Sequence, residues 1–224
     1  MWRSASADPK RIVPDGCVDL VAGDGEVFVA GPDTSAWSSV TRPGAVLSGV
    51  RFIPGRAATV LGVAADELRD RRVPLGELWG EPVAERLLMG ELSLAQAVAA
   101  RLPEVPPPDP AVAALIGRLD AGAPRVAEAV AGAAAVLGER RLRRRFVQAV
   151  GYGPATYLRV SRFQRAVALA PHVPGLAALA AAAGYADQAH LSRDCRALTG
   201  LTPRAYFRGP STVDATARDQ LRSA

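Results

Sequence analysis

The sequence predicts two regions of different fold class, a small β-rich region with trailing helices and an all-α region that follows it. Three observations support this prediction: the spacing of apolar residues changes along the chain, charge is distributed unequally, and a proline-rich segment separates the two parts. The chain has 224 residues and is 49% hydrophobic, which is enough for one large buried core or two small ones.

Strands are expected only near the start of the chain. The dipeptide Asp24-Gly25 suits the positive φ angles of a tight turn, so the strands on either side of it should form a hairpin. Beyond the last strand the apolar spacing becomes three and four, which predicts helices over residues 55–71 and 81–102. The predicted strands are residues 17–21, 27–30 and 45–53.

A proline-rich segment at residues 103–110 contains five prolines. Proline lacks a backbone donor and favours an extended, semi-rigid spacer, so this segment predicts a linker. The predicted organisation is a first domain at residues 1–102, the linker at 103–110, a second domain at 111–210 and a flexible tail at 211–224.

The second region shows almost no strand pattern, and glycine and proline residues divide it into seven predicted helices. The predicted helices cover residues 110–119, 126–136, 139–150, 154–170, 176–183, 188–198 and 203–207.

The charge distribution also separates the two regions. Residues 1–110 contain 11 Lys and Arg against 15 Asp and Glu, a balance of −4. Residues 111–224 contain 16 against 7, a balance of +9. A basic region joined to a mildly acidic one indicates a polyanion-binding module attached to a region that need not contact the polyanion.

The basic region contains an internal repeat. The segment LRRRFVQAVGYGPATYL (142–158) overlays LSRDCRALTGLTPRAYF (191–207) at a constant offset of 49 residues. Each copy contains an apolar helix, a short turn, a second helix, a glycine stop and a proline that starts a third helix, which predicts two helix-turn-helix units. The matched pairs include Leu142 and Leu191, Arg144 and Arg193, Gly151 and Gly200, Pro154 and Pro203, and Tyr157 and Tyr206.

The two copies differ at their turns. In the second copy Gly184 permits a sharp bend, and Asp187 is placed to cap the next helix. The first copy has Ala135 where the turn glycine would be and Gly138 where the cap would be. A helix that starts without a side-chain cap loses about 1 kcal/mol of stability.

The run ERRLRRRF (139–146) places five arginines on the second helix of the first copy. An isolated arginine run is most often a solvated helix face. Here the repeat, the turns and the charge distribution together favour a surface that enters the major groove of DNA, where arginine donates to guanine. If Leu142 and Phe146 point inward, the outward residues are Arg140, Arg143 and Arg144. In the second copy the outward residues are Gln188, His190, Ser192 and Arg193.

These residues resemble the AraC/XylS family of bacterial transcriptional regulators. The resemblance lies in LAALAAAAGYADQAHLSRDCRALTGLTPRAYF (176–207) and, with the first copy, covers residues 115–208. The family's DNA-binding domain has seven helices, with two helix-turn-helix units joined by one long helix, here residues 154–170. The resemblance implies base contacts by Arg140, Arg143 and Arg144 in the first unit and by Gln188, Ala189, His190, Ser192 and Arg193 in the second.

The first domain resembles the amino-terminal domains of uncharacterised members of this family. In the wider family this domain is a β-barrel that senses a small molecule or mediates dimerisation, which implies a shortened, barrel-like version here. The resemblance lies in PDGCVDLV (14–21), GVRFIPGRAATVLGV (49–63) and VPLGELWG (73–80).

Candidate effector-binding residues in the first domain are Phe28, Trp37, Arg51 and Trp79. Their aromatic rings suit an apolar body and the arginine suits an anion, although the same four residues could belong to a core and a salt bridge. Cys17 and Asp19 share one face of a predicted strand and could likewise line a pocket or be structural.

The resulting interpretation is a sequence-specific transcription regulator that binds double-stranded DNA and responds to a small molecule in its first domain. The alternative is a ligand-independent regulator whose first domain only forms a homodimer or contacts RNA polymerase. A sequence-independent nucleic-acid binder is a third class, and its affinity would fall equally for all sequences as salt rises.

Other functional classes are disfavoured. The chain has two histidines, both in the basic region, and Cys17 has no nearby base in the sequence, so an enzyme is not expected. Cys17 and Cys195 lack metal-type spacing, and no metal or organic cofactor is expected. Without an apolar run of about 18 residues or a secretory pattern at the start, a cytoplasmic location away from membranes is expected.

Overall fold

The computed structural model describes residues 1–5, 10–123, 125–134 and 137–208. Its N-terminal region is β-rich with trailing helices and its C-terminal region is helical, so the predicted fold class is confirmed. The strands are β1 (Trp2–Ala5), β2 (Lys10–Ile12), β3 (Val18–Gly23), β4 (Glu26–Ala30), β5 (Trp37–Ser39), β6 (Val46–Phe52) and β7 (Arg72–Pro74). The helices of this region are α1 (Ala57–Leu61), α2 (Leu75–Trp79), α3 (Glu81–Leu88) and α4 (Leu94–Arg101), followed by a 3-10 turn at Leu102–Glu104.

The described strands form two sheets that do not close into a barrel. The larger sheet is antiparallel with the order β1-β6-β3-β4-β7, and β2 pairs with β5 in the smaller sheet. The hairpin between β3 and β4 turns at Asp24 and Gly25, whose φ angles of 56° and 83° confirm the predicted turn. The N-terminal region is therefore not the barrel-like domain that the resemblance implied. Its described residues form an open five-stranded sheet and a separate two-stranded sheet.

The predicted helix over residues 55–71 is wrong over most of its length. Only α1 forms, and Gly62 ends it with a left-handed φ of 78°. Ala65 and Leu68 are buried at three-residue spacing, but they lie in turns that follow the helix. Tertiary packing buries both residues, and their three-residue spacing is therefore not evidence of a helix.

One face of the larger sheet packs against the N-terminal helices. Leu20 and Val29 have no exposed surface, and Leu61 and Leu75 close the same core. Trp79 joins this core, and its Nε1 donates to the backbone oxygen of Leu61 at 3.3 Å. The described residues of this region thus bury a hydrophobic core of their own.

The C-terminal region has a second core around α8, which the helices on either side contact. Phe146 and Phe163 are fully buried within it, and Phe146 meets the ring of Tyr157 edge-on at 5.7 Å. The helices in the described residues are α5 (Pro110–Asp120), α6 (Val126–Ala133), α7 (Glu139–Val150), α8 (Pro154–Leu169), α9 (Leu176–Ala183), α10 (Gln188–Thr199) and α11 (Pro203–Arg208).

The tail predicted at residues 211–224 lies outside the described part of the chain. Within that part, α8 has 16 residues, and no helix is both long and apolar enough to cross a membrane.

Candidate nucleic-acid interface

The second helix-turn-helix unit consists of α9, a tight turn and α10. Gly184 ends α9 with φ of 86°, a conformation that glycine adopts without a side-chain clash. Asp187 then caps α10, since its carboxylate accepts from the backbone amide of His190 at 2.6 Å. The predicted turn and cap of this unit are confirmed.

The first unit consists of α6, a turn and α7. Gly138 occupies the N-cap position of α7 with φ of 74°, and α7 has no side-chain cap. Ala135, which replaces the turn glycine in the sequence, lies outside the described residues. Glu139 in the first turn of α7 places a negative charge near the helix N-terminus, where the helix dipole favours it.

Equivalent residues of α7 and α10 anchor the two helices in the core. Leu142 and Phe146 in α7 have no exposed surface, as predicted, and neither do Leu191 and Cys195 in α10. Burial raises the pKa of the Cys195 thiol. The opposite face of each helix is consequently directed away from the core.

The outward face of α7 carries most of the arginine run. Arg140 and Arg144 are exposed, and Arg143 is half-exposed with its guanidinium 3.8 Å from Glu139. Arg145 points elsewhere and forms a 2.8 Å ion pair with Asp109, the N-cap residue of α5. Four of the five arginines therefore remain on or beside the outward face, and one fixes α7 to α5.

The outward face of α10 combines amide, hydroxyl and guanidinium groups. Gln188, Ala189 and Arg193 are exposed, whereas Ser192 is half-buried and donates to the backbone oxygen of Gln188 at 2.8 Å. These four residues line a shallow surface hollow together with Arg196. The sequence reasoning missed Arg196, although its four-residue steps from Gln188 and Ser192 place it on the same face.

His190 is less exposed than Gln188, Ala189 and Arg193. Its imidazole is half-buried and packs edge-on against the ring of Tyr185, with 5.0 Å between the ring centroids. Its Nε2 lies 3.7 Å from the carboxylate of Asp194, which also approaches Arg159 of α8 at 3.5 Å. His190 thus contacts Tyr185 and Asp194 on one side, and its contact with DNA stays a prediction.

The four candidate effector-binding residues have different surroundings. Trp37 stacks under the guanidinium of Arg72 at 3.9 Å, Trp79 belongs to the N-terminal core, and Phe28 is half-buried on β4. Arg51 forms 2.8 Å ion pairs with two carboxylates, those of Asp15 and Asp19. Burial opposes the charge of Arg51, but these carboxylates and the hydrogen bond to Asp19 outweigh it and raise the pKa of Arg51.

Arg51 lines a cleft of about 360 Å³ between the N-terminal sheet and α8. Tyr157 and Ser161 of α8 donate to the carboxylate of Asp120 on its far wall, at 3.1 and 2.8 Å. The remaining lining residues are Asp15, Cys17, Ile53, Pro54, Val160, Arg165 and Ala168.

A buried hydroxyl lies close to this cleft. Tyr152 is buried, and within the described part of the chain its hydroxyl has no hydrogen-bond partner. The hydroxyl lies near Gly16, beside Pro54 and Tyr157 of the cleft wall. A buried hydroxyl without a partner is costly, so a polar group is expected to satisfy it.

Comparisons with known proteins match both regions. Residues 132–209 match a family model described as a helix-turn-helix domain, and residues 1–74 match one described as a domain of unknown function (DUF6597). The chain has no significant match among curated proteins.

Among solved structures, the crystal structure of ToxT from Vibrio cholerae O395 is similar, with 10% identity and a TM-score of 0.46 over 92% of this chain and 95% of that chain. ToxT bound to (E)-4-(8-methylnaphthalen-1-yl)but-3-enoic acid is also 10% identical, with a TM-score of 0.49 over 92% and 96%.

Proposed function

We propose that this chain, whose C-terminal region carries an AraC-type helix-turn-helix domain, is a sequence-specific transcription regulator that reads double-stranded DNA with α7 and α10. The observation that carries the proposal is the pair of equivalent helices, each anchored by buried residues in one core and each presenting polar side chains outward. Two such helices on one core suit successive major grooves, about 34 Å apart along the duplex.

The exposed side chains have the chemistry that base reading requires. Arg140, Arg144 and Arg193 are exposed, and in the described residues no carboxylate lies within ion-pair distance of them. Each can donate two hydrogen bonds to a guanine edge, while Gln188 suits adenine and Ala189 suits a thymine methyl group. Arg143 and Ser192, which are half-buried, would contact phosphates or base edges beside them.

The experiment that tests this function is selection of bound duplexes from a random DNA pool by the purified full chain at near-physiological salt. The expected result is a motif of two short elements about one helical turn apart. The proposal would be overturned if no motif emerged and if affinity for all duplexes fell equally as salt rose, because phosphate contacts alone behave in this way.

The same protein is proposed to respond to a small polar molecule in the cleft between the N-terminal sheet and α8. The walls of the cleft combine two guanidinium groups, Arg51 and Arg165, with the carboxylates of Asp15 and Asp120. This mixture suits a ligand that both donates and accepts hydrogen bonds, such as an amino acid or another small zwitterion. A molecule there would touch α8, which packs against both α7 and α10.

Ligand binding in the cleft is tested by thermal denaturation of the full chain with a panel of amino acids, small carboxylic acids and sugars. The expected result is a rise in melting temperature with amino acids that disappears in Ser161→Ala and persists in Ser93→Ala, an exposed serine on α4's N-terminus. If no compound raises the melting temperature, the alternative is favoured, in which the N-terminal region only dimerises or contacts RNA polymerase. Sedimentation of the full chain then separates a dimer from a monomer.

A further inference from the structure

The N-terminal region contacts the last turn of α7 through two donors. The backbone amide of Ala65 donates to the oxygen of Gln148 at 2.7 Å. Nη1 of Arg69 donates to the oxygen of Gly151, the residue that ends α7, at 3.4 Å. The final carbonyl groups of a helix have no partners within the helix, so these donors satisfy groups that α7 itself cannot.

The same region contacts the last turn of α10 in the same way. The backbone amide of Ala36 donates to the oxygen of Leu198 at 2.7 Å. Nη1 of Arg11 donates to the oxygen of Thr199, the last residue of α10, at 2.8 Å. At each helix the N-terminal region therefore supplies one main-chain amide and one guanidinium.

These contacts are close and similarly placed on the two helices. Gly151 and Gly200, which are equivalent in the internal repeat, end α7 and α10 in the left-handed conformation. A side chain at Gly151 would overlap Pro32, so the N-terminal region approaches this position too closely for any other residue. A Cβ at Gly200 would lie 3.8 Å from the guanidinium of Arg11. Positive charge is also favourable at a helix C-terminus because of the helix dipole.

We propose that Arg11 and Arg69 are positioning residues, which fix α7 and α10 relative to each other and thereby select the distance between the two DNA elements. The proposal rests on the proposed DNA-reading function. α7 and α10 both pack on α8, and the N-terminal region forms a second connection between their C-terminal ends. This connection adds to those within the C-terminal core, so rotation of either helix about α8 is further restrained.

The first test measures the two helices without DNA. Spin labels are attached at Arg141→Cys and Ala197→Cys, both exposed, in a Cys17→Ser background, and the distance distribution is measured by pulsed electron paramagnetic resonance. Arg11→Ala/Arg69→Ala is expected to broaden the distribution. The matched control is Arg3→Ala/Arg71→Ala, since Arg3 is exposed on β1 and, among the described residues, the side chain of Arg71 bonds to its own neighbourhood, the oxygen of Glu67. An unchanged distribution in Arg11→Ala/Arg69→Ala would overturn the proposal.

The second test measures spacing selectivity. Duplexes carry the two selected elements at the preferred distance or with one or two base pairs added or removed. The native chain is expected to lose about tenfold in affinity when the distance changes, and Arg11→Ala/Arg69→Ala should lose much less while binding a single element as the native chain does. Arg11→Lys/Arg69→Lys should restore part of the selectivity, because lysine also donates to carbonyl oxygens.

The outcomes separate the two proposals. A native chain without any sequence preference refutes the proposed function, and the spin-label distances still decide whether the arginines position the helices. A native chain that reads sequence, with the same spacing selectivity in Arg11→Ala/Arg69→Ala, refutes the positioning role alone.

Discussion

The arginines of α7 show how neighbouring residues of one type acquire different roles. Arg145 forms an ion pair with the N-cap carboxylate of α5, Arg143 lies near Glu139 on its own helix, and Arg140 and Arg144 extend into solvent. Helical periodicity predicts which of them face outward. It does not predict the pair with Asp109, because that carboxylate is 36 residues away in the chain.

Arg144→Ala and Arg193→Ala should each lower specific DNA affinity, by about 1 to 3 kcal/mol if the guanidinium reads a base. The measurement is a comparison of the selected duplex with a scrambled one. Arg86→Ala is the matched control, because Arg86 is an exposed arginine on α3 whose guanidinium lies 3.9 Å from the carboxylate of Glu91. Equal losses on both duplexes would reassign these arginines to phosphate contacts.

Asp194 of α10 contacts α8 through its carboxylate, which lies 3.5 Å from Arg159. Burial raises its pKa, and the nearby positive charges of Arg159, His190, Arg162 and Arg193 offset this only in part. The sequence gives no sign of this arrangement, since Asp194 follows Arg193 on a helix that reads as polar. The same carboxylate lies 3.7 Å from Nε2 of His190.

The ordinary pKa of an aspartate is 3.8, and that of Asp194 is higher. As the pH rises from the ordinary to the raised pKa, the free energy of unfolding of the native chain should fall relative to that of Asp194→Asn. The native carboxyl holds its proton more tightly than the unfolded one, so its stabilisation is complete at low pH and is lost as the pH passes the native pKa. Urea denaturation of both proteins across this range measures the difference. A difference that does not change with pH would contradict the role assigned to burial.

At the scale of elements, local sequence signals predict the ends of several helices in the C-terminal region. α7 and α9 begin and end at the predicted residues, because glycines precede and follow both of them. The same reasoning misses the short strands β1, β2, β5 and β7, which have three or four residues each. So few residues cannot display an alternating pattern, and distant pairing partners define these strands instead.

Asp187→Ala should lower the free energy of unfolding by about 1 kcal/mol, since α10 loses the side-chain acceptor that caps its start. Asp187→Asn should retain most of that stability, because asparagine caps helices nearly as well. Urea denaturation monitored by circular dichroism compares the two variants. Equal destabilisation by both substitutions would mean that the charge, and not the cap, stabilises the helix start.

At the scale of the whole molecule, hydrogen bonds between the two regions connect separate cores. One of them is deeply buried: the side-chain nitrogen of Gln164 in α8 donates to the backbone oxygen of Pro14 at 2.7 Å. Composition and the proline-rich segment predict two regions of opposite charge. They do not predict that the regions touch, because the contacting residues are up to 188 positions apart and many of the groups are main-chain atoms.

The two regions should unfold in one transition. All three tryptophans, Trp2, Trp37 and Trp79, lie in the N-terminal region, whereas most helical residues lie in the C-terminal region. Tryptophan fluorescence and far-ultraviolet circular dichroism should therefore give the same midpoint in urea. Gln164→Leu removes a donor to a buried carbonyl and should lower the free energy of unfolding by about 1 to 3 kcal/mol. Two separate midpoints in the native chain would show that the regions unfold independently.

Two of the four bonds to the ends of α7 and α10 use the main-chain amides of Ala36 and Ala65. Ordinary substitutions at these positions leave the amide in place, so the residues of the two loops can change without loss of these two hydrogen bonds. Proline is the exception, since it has no amide hydrogen. Natural variation that alters how such a protein spaces its two reading helices should therefore accumulate as insertions, deletions or prolines in these loops.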